Sequence, residues 1–355
     1  MREGRVAEPV RLTMRNAVSF MSDENQYAEL IARHLNLADA RLGATVLVAS
    51  DEFFGAKERL LAASEPEWRE GVYDDHGKWM DGWETRRRRG AGHDYCIVRL
   101  ASRGHIALID LDTRYFTGNY PPHAAIEACQ VAGDPDEQTQ WSPLLALSPL
   151  LGNQHNLFPL DATATWTHLR LSIFPDGGVA RLRAYGTIHR DWSDAAGHKS
   201  LDLVAALNGG RALACSDEHY GAMGNLLLPG RGSSMADGWE TRRRRGPGFD
   251  WVILQLGHPG RVLRVEVDTA YFRGNFPHQV SVNAARLPAA GAGAELARAS
   301  LDWPTLLEPQ LLQADSVVSF ESGLADLGVI THARVNMHPD GGMSRVRLYG
   351  LPDLS

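Results

Sequence analysis

The stretch "THLRLSIFPDGGVARLRAYG", Thr167 to Gly186, decides the fold. Two short apolar or alternating runs, "HLRLSIF" and "VARLRAY", flank Pro-Asp-Gly-Gly, and runs of this length and pattern form strands. The glycines between them supply the positive φ that a tight hairpin needs. In the second arm Arg181, Arg183 and Tyr185 share one face of an extended chain, whereas Val179, Leu182 and Ala184 hold no clean period. The whole stretch returns as "THARVNMHPDGGMSRVRLYG", Thr331 to Gly350, identical at 11 of 20 positions.

Working outward, two further blocks recur in the same order. "DGWETRRRRG" occupies Asp81 to Gly90 and again Asp237 to Gly246, within a 41-residue match (Asp81 to Pro121 against Asp237 to Pro277) that keeps 22 identities. Upstream, "ASDEFFGAKERLL" (Ala49 to Leu61) answers "CSDEHYGAMGNLL" (Cys215 to Leu227). A period this long is a tandem domain duplication rather than a solenoid. The first copy carries about ten extra residues around Glu65 to Met80, and the second carries eight extra between its later blocks; such differences belong in surface loops. The join falls near Asp191 to Ser200. We therefore expect residues 1–36 as an extension with a helix, 37–190 as one unit and 200–355 as the other.

Many short strands with Gly-rich turns and no βαβ rhythm predict an all-β protein of two antiparallel jelly-roll β-sandwiches. A helix is expected only over Gln26 to Ala38, where Tyr27, Leu30, Ile31, His34, Leu35 and Ala38 fall at helical spacing. The chain has 355 residues, 36 basic against 43 acidic, and a formal charge of -7, which argues against reading the arginine run as a nucleic-acid stripe. No apolar run is long enough for a membrane span and no secretory leader pattern opens the chain. Three scattered cysteines form neither a disulfide framework nor a zinc motif, so a cytoplasmic setting is expected.

Several recurring residues could carry chemistry. Alternation would put Trp83, Thr85 and Arg87 on one face and Glu84 and Arg86 on the other, a guanidinium beside an indole. The bland reading is a Glu84–Arg86 ion pair over a core tryptophan. The "SDE" triplets, Ser50 to Glu52 and Ser216 to Glu218, lie at strand ends and offer paired carboxylates for acid/base work, although Ser-Asp there often only closes a turn. His168 and His332 are the histidines found at equivalent places in both copies, and a lone histidine entering a strand is commonly a core residue. Asp112/Asp268 and Asn119/Asn275 recur in Gly-Asn turns. No spacing suggests a metal site, and the standard serine-hydrolase, phosphate-binding, zinc-protease and dinucleotide motifs are missing.

Taken together, "DGWETRR", "SDEFF" or "SDEHYG", "GNLLLPGR", the Asp-Thr-x-x-Phe-x-Gly-Asn turn and "PDGGxxRxRxYG" resemble the allantoicase family in both halves. Residues 1–36 lie outside the resemblance. It implies two tandem jelly rolls of the galactose-binding-domain type, hydrolysis of allantoate to ureidoglycolate and urea in purine (allantoin) degradation, no cofactor, and a homo-oligomer. Only the first two arginines of each run belong to the family string, which leaves Arg88, Arg89, Arg244 and Arg245 without an expected role. Allantoate is a carboxylate whose α carbon bears two ureido nitrogens. Its hydrolysis needs a carboxylate holder, for which Arg86 and Arg87 or Arg242 and Arg243 are candidates beside Trp83 or Trp239. It also needs acid and base, for which Asp51 and Glu52 or Asp217 and Glu218 are candidates, assisted by His168 or His332 and Glu84 or Glu240. The competing reading is a non-catalytic tandem module that binds a sugar or another small anionic ligand. Because Phe53, Phe54 and Phe174 become His219, Tyr220 and His338, the polar gain predicts a principal site in the second copy.

Overall fold

The computed structural model describes residues 24–161, 163–197, 199–288 and 293–354. The first repeat contributes β1 (Leu35–Asn36), β2 (Thr45–Ala49), β3 (Tyr73–Asp74), β4 (Gly77–Lys78), β5 (Trp83–Glu84) and β6 (Asp94–Asp112). It continues with β7 (His123–Cys129), β8 (Ser142–Pro149), β9 (His155–Pro159), β10 (Trp166–Phe174), β11 (Gly178–Val179) and β12 (Arg181–Ile188). Every strand pairing among these is antiparallel.

The long strand β6 organises the repeat. Its first half pairs with β2 and β10, its second half with β12 and β9, and the register shifts between these partners near Gly104. Asp94 opens the strand opposite Ile173 and Asp112 closes it opposite Arg181. Both ends of β6 therefore return to one end of the sandwich, beside the Pro175–Ala180 connection. Alternate residues of each layer, among them Val98, Leu100, Ile109, Leu111, Ile126, Leu169, Leu171 and Leu182, meet in a single buried core. That alternation is the reason the sequence folds as sheets rather than helices.

The second repeat reproduces this arrangement with β13 (Leu201–Asp202), β14 (Arg211–Cys215), β15 (Trp239–Glu240), β16 (Asp250–Asp268), β17 (Gln279–Ala285), β18 (Thr305–Leu311), β19 (Val317–Phe320), β20 (Ile330–His338), β21 (Gly342–Met343) and β22 (Arg345–Pro352). The strand order matches that of the first repeat, with β16 in the place of β6. The two halves touch through Arg41, which donates to Asn225 Oδ1 at 3.0 Å, and through Leu42, which joins the second core.

Two local expectations need correction or completion. The helix α1 runs over Glu24–Arg33 and stops there, because Leu35 and Asn36 pair with Gly186 and Tyr185, and the Leu37 amide donates to the Ala184 carbonyl at 2.7 Å. Leu37 and Ala38 are wholly buried in the first core, so sheet pairing and burial override the helical spacing at that end. In β12, Leu182 and Ala184 face the core while Arg181 and Arg183 face away from it and are also buried, tied to the carbonyls of Ala62, Ala63, Ser64 and Asp81. Those arginines fasten the loop that leads to β3 and β4. The eight extra residues of the second repeat include part of α2 (Gly293–Ala299), whose Leu296 packs with Trp303 on Ile253.

Candidate active site

The repeated decapeptide starts as a strand and then leaves the sheet. In β5, Trp83 and Glu84 pair with Val179 and Gly178 of β11. Trp83 is fully buried, and its indole N–H donates to the Asp51 carbonyl at 2.8 Å. The Glu84 amide donates to the Gly55 carbonyl at 3.1 Å, and its own carbonyl accepts from the Gly55 amide at 3.1 Å. This pinning requires a glycine in "SDEFFG": a Cβ on Gly55 would lie 2.3 Å from the Gly82 carbonyl oxygen. Gly177 adopts φ +142°, and Gly178 packs so tightly on Phe116 that a side chain there would collide with the ring.

The Glu84 side chain emerges half-buried where two clefts meet. One oxygen accepts from Asn119 Nδ2 at 2.7 Å. Burial pushes this carboxyl up from its ordinary value; the Asn119 amide opposes the shift, and the nearby charge of Asp74 adds to it. On one flank lies a cleft of about 460 Å³ bounded by Arg87, Arg88, Asn119, Tyr120 and Asp176. On the other lies a cleft of about 290 Å³ bounded by Trp68, Lys78, Met80, Tyr115 and Thr117. Phe54, Glu84 and Asn119 belong to both walls.

The four arginines have four different surroundings. Arg86 is committed to Asp51: its Nε donates to Oδ2 at 2.7 Å and its amide donates to Oδ1 at 3.0 Å. Burial raises the Asp51 carboxyl, but the Arg86 and Phe53 amides and the Arg86 guanidinium together hold it below the usual range. Arg88 is tied to buried Asp94, and its amide donates to Asp176 Oδ2 at 2.7 Å, so this arginine closes the loop, a role that the family string does not assign to it. Arg87 and Arg89 are exposed and have no acidic partner among the described residues, and of these two Arg87 faces the cleft beside Glu84.

Several predicted site residues stand elsewhere. Trp83 and Trp239 are core residues whose indoles brace the Asp51 and Asp217 carbonyls (2.8 Å each), so alternation does not set an indole beside a free guanidinium. Glu52 accepts from the Lys57 amide at 3.0 Å, and Glu218 from the Met223 amide at 3.0 Å; both cap the short turn that follows. His168 sits six residues before Phe174 on β10, roughly 20 Å along the strand from the Pro175 loop. Its Nδ1 meets Thr167 Oγ1 at 2.9 Å, and burial lowers its pKa, as burial does for His332 beside Thr331. Both histidines are thus buried strand residues beside a threonine, away from the Pro175 and Pro339 loops.

The second repeat copies the local frame closely. Asn275 donates to Glu240 at 2.6 Å, Arg242 to Asp217 at 2.7 Å, Arg244 is tied to Asp250, and Arg243 is exposed with no acidic partner among the described residues. What differs is the wall. The extra residues of the first repeat form the β3–β4 hairpin, which brings Lys78 and Met80 beside Glu84. The polar gains of the second repeat are otherwise engaged: His338 Nε2 meets Ser281 Oγ at 2.9 Å, and His219 packs against exposed Tyr220. Trp68 and Lys78 are not among the sequence candidates; their only signal there is the length difference that carries them.

Among the described residues one group of possible metal ligands gathers at Glu65, in the loop that leads to the hairpin. Ligand atoms of Glu65, Asp112 and His155 lie within 4.8 Å of one another. Arg114 already pairs with both carboxylates, Arg183 stands 3.6 Å from Glu65, and His155 Nδ1 meets Asp110 at 2.8 Å. With two guanidinium groups already paired to its carboxylates, the cluster is better suited to fastening the Glu65 loop than to holding a divalent ion.

Comparison with known proteins agrees with this architecture. The allantoicase repeat family matches twice, over residues 35–189 and 201–353. A probable allantoicase of Pseudomonas aeruginosa (strain LESB58) is 54% identical over 322 residues, covering 90% of this chain and 97% of that protein. One from Photobacterium profundum is 50% identical over 319 residues, covering 90% and 96%. The crystal structure of allantoicase from Saccharomyces cerevisiae superposes with a TM-score of 0.78 at 31% identity, covering 93% of this chain and 98% of that one. Two repeats, the strand order and the near-complete coverage lead to one conclusion: this chain belongs to the allantoicase family.

Proposed function

We propose that the chain hydrolyses allantoate to ureidoglycolate and urea, and that the reaction takes place in the first repeat around Glu84. The observation that carries the location is the raised carboxyl of Glu84, set between a guanidinium with no acidic partner and a hairpin that has no counterpart among the described residues of the second repeat. Arg87 presents a planar fork to the substrate carboxylate. Protonated Glu84 gives its proton to one ureido nitrogen as the C–N bond breaks, while the lone pair of the other ureido nitrogen forms an imine-like bond to the α carbon. Urea leaves. The Glu84 carboxylate then takes a proton from the water that adds to that carbon, which restores the acid and leaves the hydroxyl of ureidoglycolate. A carboxyl raised by burial suits this double use, since burial favours the neutral acid that gives the proton and strengthens the carboxylate as the base that takes it back.

Likeness to allantoicases along nearly the whole chain disfavours the reading as a non-catalytic binding module. A cytoplasmic setting is part of the proposal and is supported by three free cysteines. Among the described residues no helix is long and apolar enough to cross a membrane. A homo-oligomer is also proposed, on the family resemblance alone, and sedimentation tests it. The reaction itself is tested by incubating purified protein with allantoate in heavy-oxygen water. Urea without label and ureidoglycolate with label at the new hydroxyl are expected; ammonia and carbon dioxide in place of urea would show attack at a ureido carbonyl and overturn the scheme.

A further inference from the structure

The hairpin of the first repeat carries groups that the scheme above leaves unused. Lys78 Nζ lies 3.6 Å from the centre of the Trp68 ring and has no carboxylate partner among the described residues. Trp68 in turn packs against Tyr115, with ring centres 6.0 Å apart. Together with Thr117 and Met80 they make an aromatic-walled slot with one cationic donor, which shares Phe54, Glu84 and Asn119 with the cleft of Arg87. A second carboxylate-holding cation is redundant for a substrate with one carboxylate. A planar, neutral ureido group matches the slot better: the ammonium already covers a face of the indole, so the group sits beside the aromatic wall and its carbonyl oxygen can accept from that ammonium.

We infer that the Trp68–Lys78 slot receives the departing ureido arm of the substrate, with Lys78 donating to its carbonyl oxygen. This rests on the placement of the reaction at Glu84. The substrate then straddles the Glu84–Asn119 pair, its carboxylate on Arg87 and one arm under the hairpin. The leaving nitrogen is presented to Glu84. As the C–N bond breaks, electron density moves onto the leaving group, and a hydrogen bond from an ammonium strengthens with that charge. The second repeat has Ser234 at the aligned position and no such hairpin among the described residues, so its copy of the site lacks the arm-holding half.

The test uses Lys78→Met, which keeps an unbranched side chain over Trp68 and removes only the charge, with Lys78→Arg as the conservative control. Urea release is measured with allantoate, and glycolate, a carboxylate with no ureido arm, serves as competitive inhibitor. Lys78→Met is expected to lower kcat by roughly 10- to 100-fold, with Lys78→Arg recovering part of it, while the glycolate inhibition constant stays within about 2-fold of wild type. Unchanged kcat in a folded Lys78→Met variant would overturn the inference. So would an equal weakening of glycolate, which would make Lys78 a carboxylate holder. Glu84→Gln separates the two levels of argument. Full activity there removes the underlying placement, whereas lost activity in Glu84→Gln with normal activity in Lys78→Met removes only the inference about the arm.

Discussion

Replacing Asn119 with alanine isolates the one polar contact that Glu84 makes to a side chain among the described residues. The Asn119 amide donates to the Glu84 carboxylate at 2.7 Å, so it favours the ionised form and pulls against the burial that raises the carboxyl. A hydrogen bond to a charged group contributes about 1.5–3 kcal/mol, and one pKa unit corresponds to about 1.4 kcal/mol. Since Glu84 is only half-buried and water can partly replace the amide, the lower end applies: a further rise of about one unit. The sign follows directly. If protonated Glu84 donates the proton, the alkaline limb of kcat/KM for urea release moves to higher pH by about one unit in Asn119→Ala. The assay is a pH profile of urea release at substrate well below KM, with the fold confirmed by circular dichroism. An alkaline limb that does not move in a folded variant means that Glu84 is not the titrating acid, and the mechanistic reasoning fails.

Other perturbations have equally definite outcomes. Asp74→Asn removes the charge that helps to raise Glu84, so the same limb shifts to lower pH by a few tenths of a unit, a displacement that paired pH profiles resolve. Arg87→Lys lowers kcat/KM by roughly 10- to 100-fold because a point charge replaces a bidentate fork, whereas Arg243→Lys changes it by less than about 3-fold. Asp51→Asn acts on stability: the folded Asp51 carboxyl lies below its ordinary value of 3.8, so its contribution is present above that pH and disappears as the pH falls through the folded value. Urea denaturation of Asp51→Asn at neutral pH is expected to show a loss of about 1–2 kcal/mol, and the deficit shrinks in acid.

Legibility in the sequence follows the range of the forces involved. Strand alternation and the repeated Pro-Asp-Gly-Gly turn are local, and they disclose the all-β duplicated architecture because each half has to bury the same stripe, such as Leu171 and Ile173 in one and Val335 and Met337 in the other. The end of α1 is not legible, because the helical spacing runs on through Leu35 and Ala38, and only the distant partners Gly186, Tyr185 and Ala184 decide that Leu35 and Asn36 pair as sheet and that the Leu37 amide follows them. The arginine run is legible as important but not in its division of labour. Sheet pairing of the decapeptide stops at Glu84, so alternation says nothing about the following arginines, and it takes Asp51, Asp94 and Asp176 in space to leave Arg87 unpaired. Polar gains in the second copy suggest a site there; the feature that favours the first copy is an insertion, whose wall-forming role depends on the fold.

The most direct test of the account compares Glu84→Gln with Glu240→Gln in urea release from allantoate, each variant first shown to be folded by its thermal transition. The two carboxyls have nearly the same hydrogen bond, 2.7 Å from Asn119 and 2.6 Å from Asn275, so a purely structural role would give equal effects. With the reaction in the first repeat, Glu84→Gln loses about 10²- to 10⁴-fold in kcat and Glu240→Gln stays within a few-fold of wild type. Loss confined to Glu240→Gln, or equal losses in both, would contradict the assignment of the site to the first repeat.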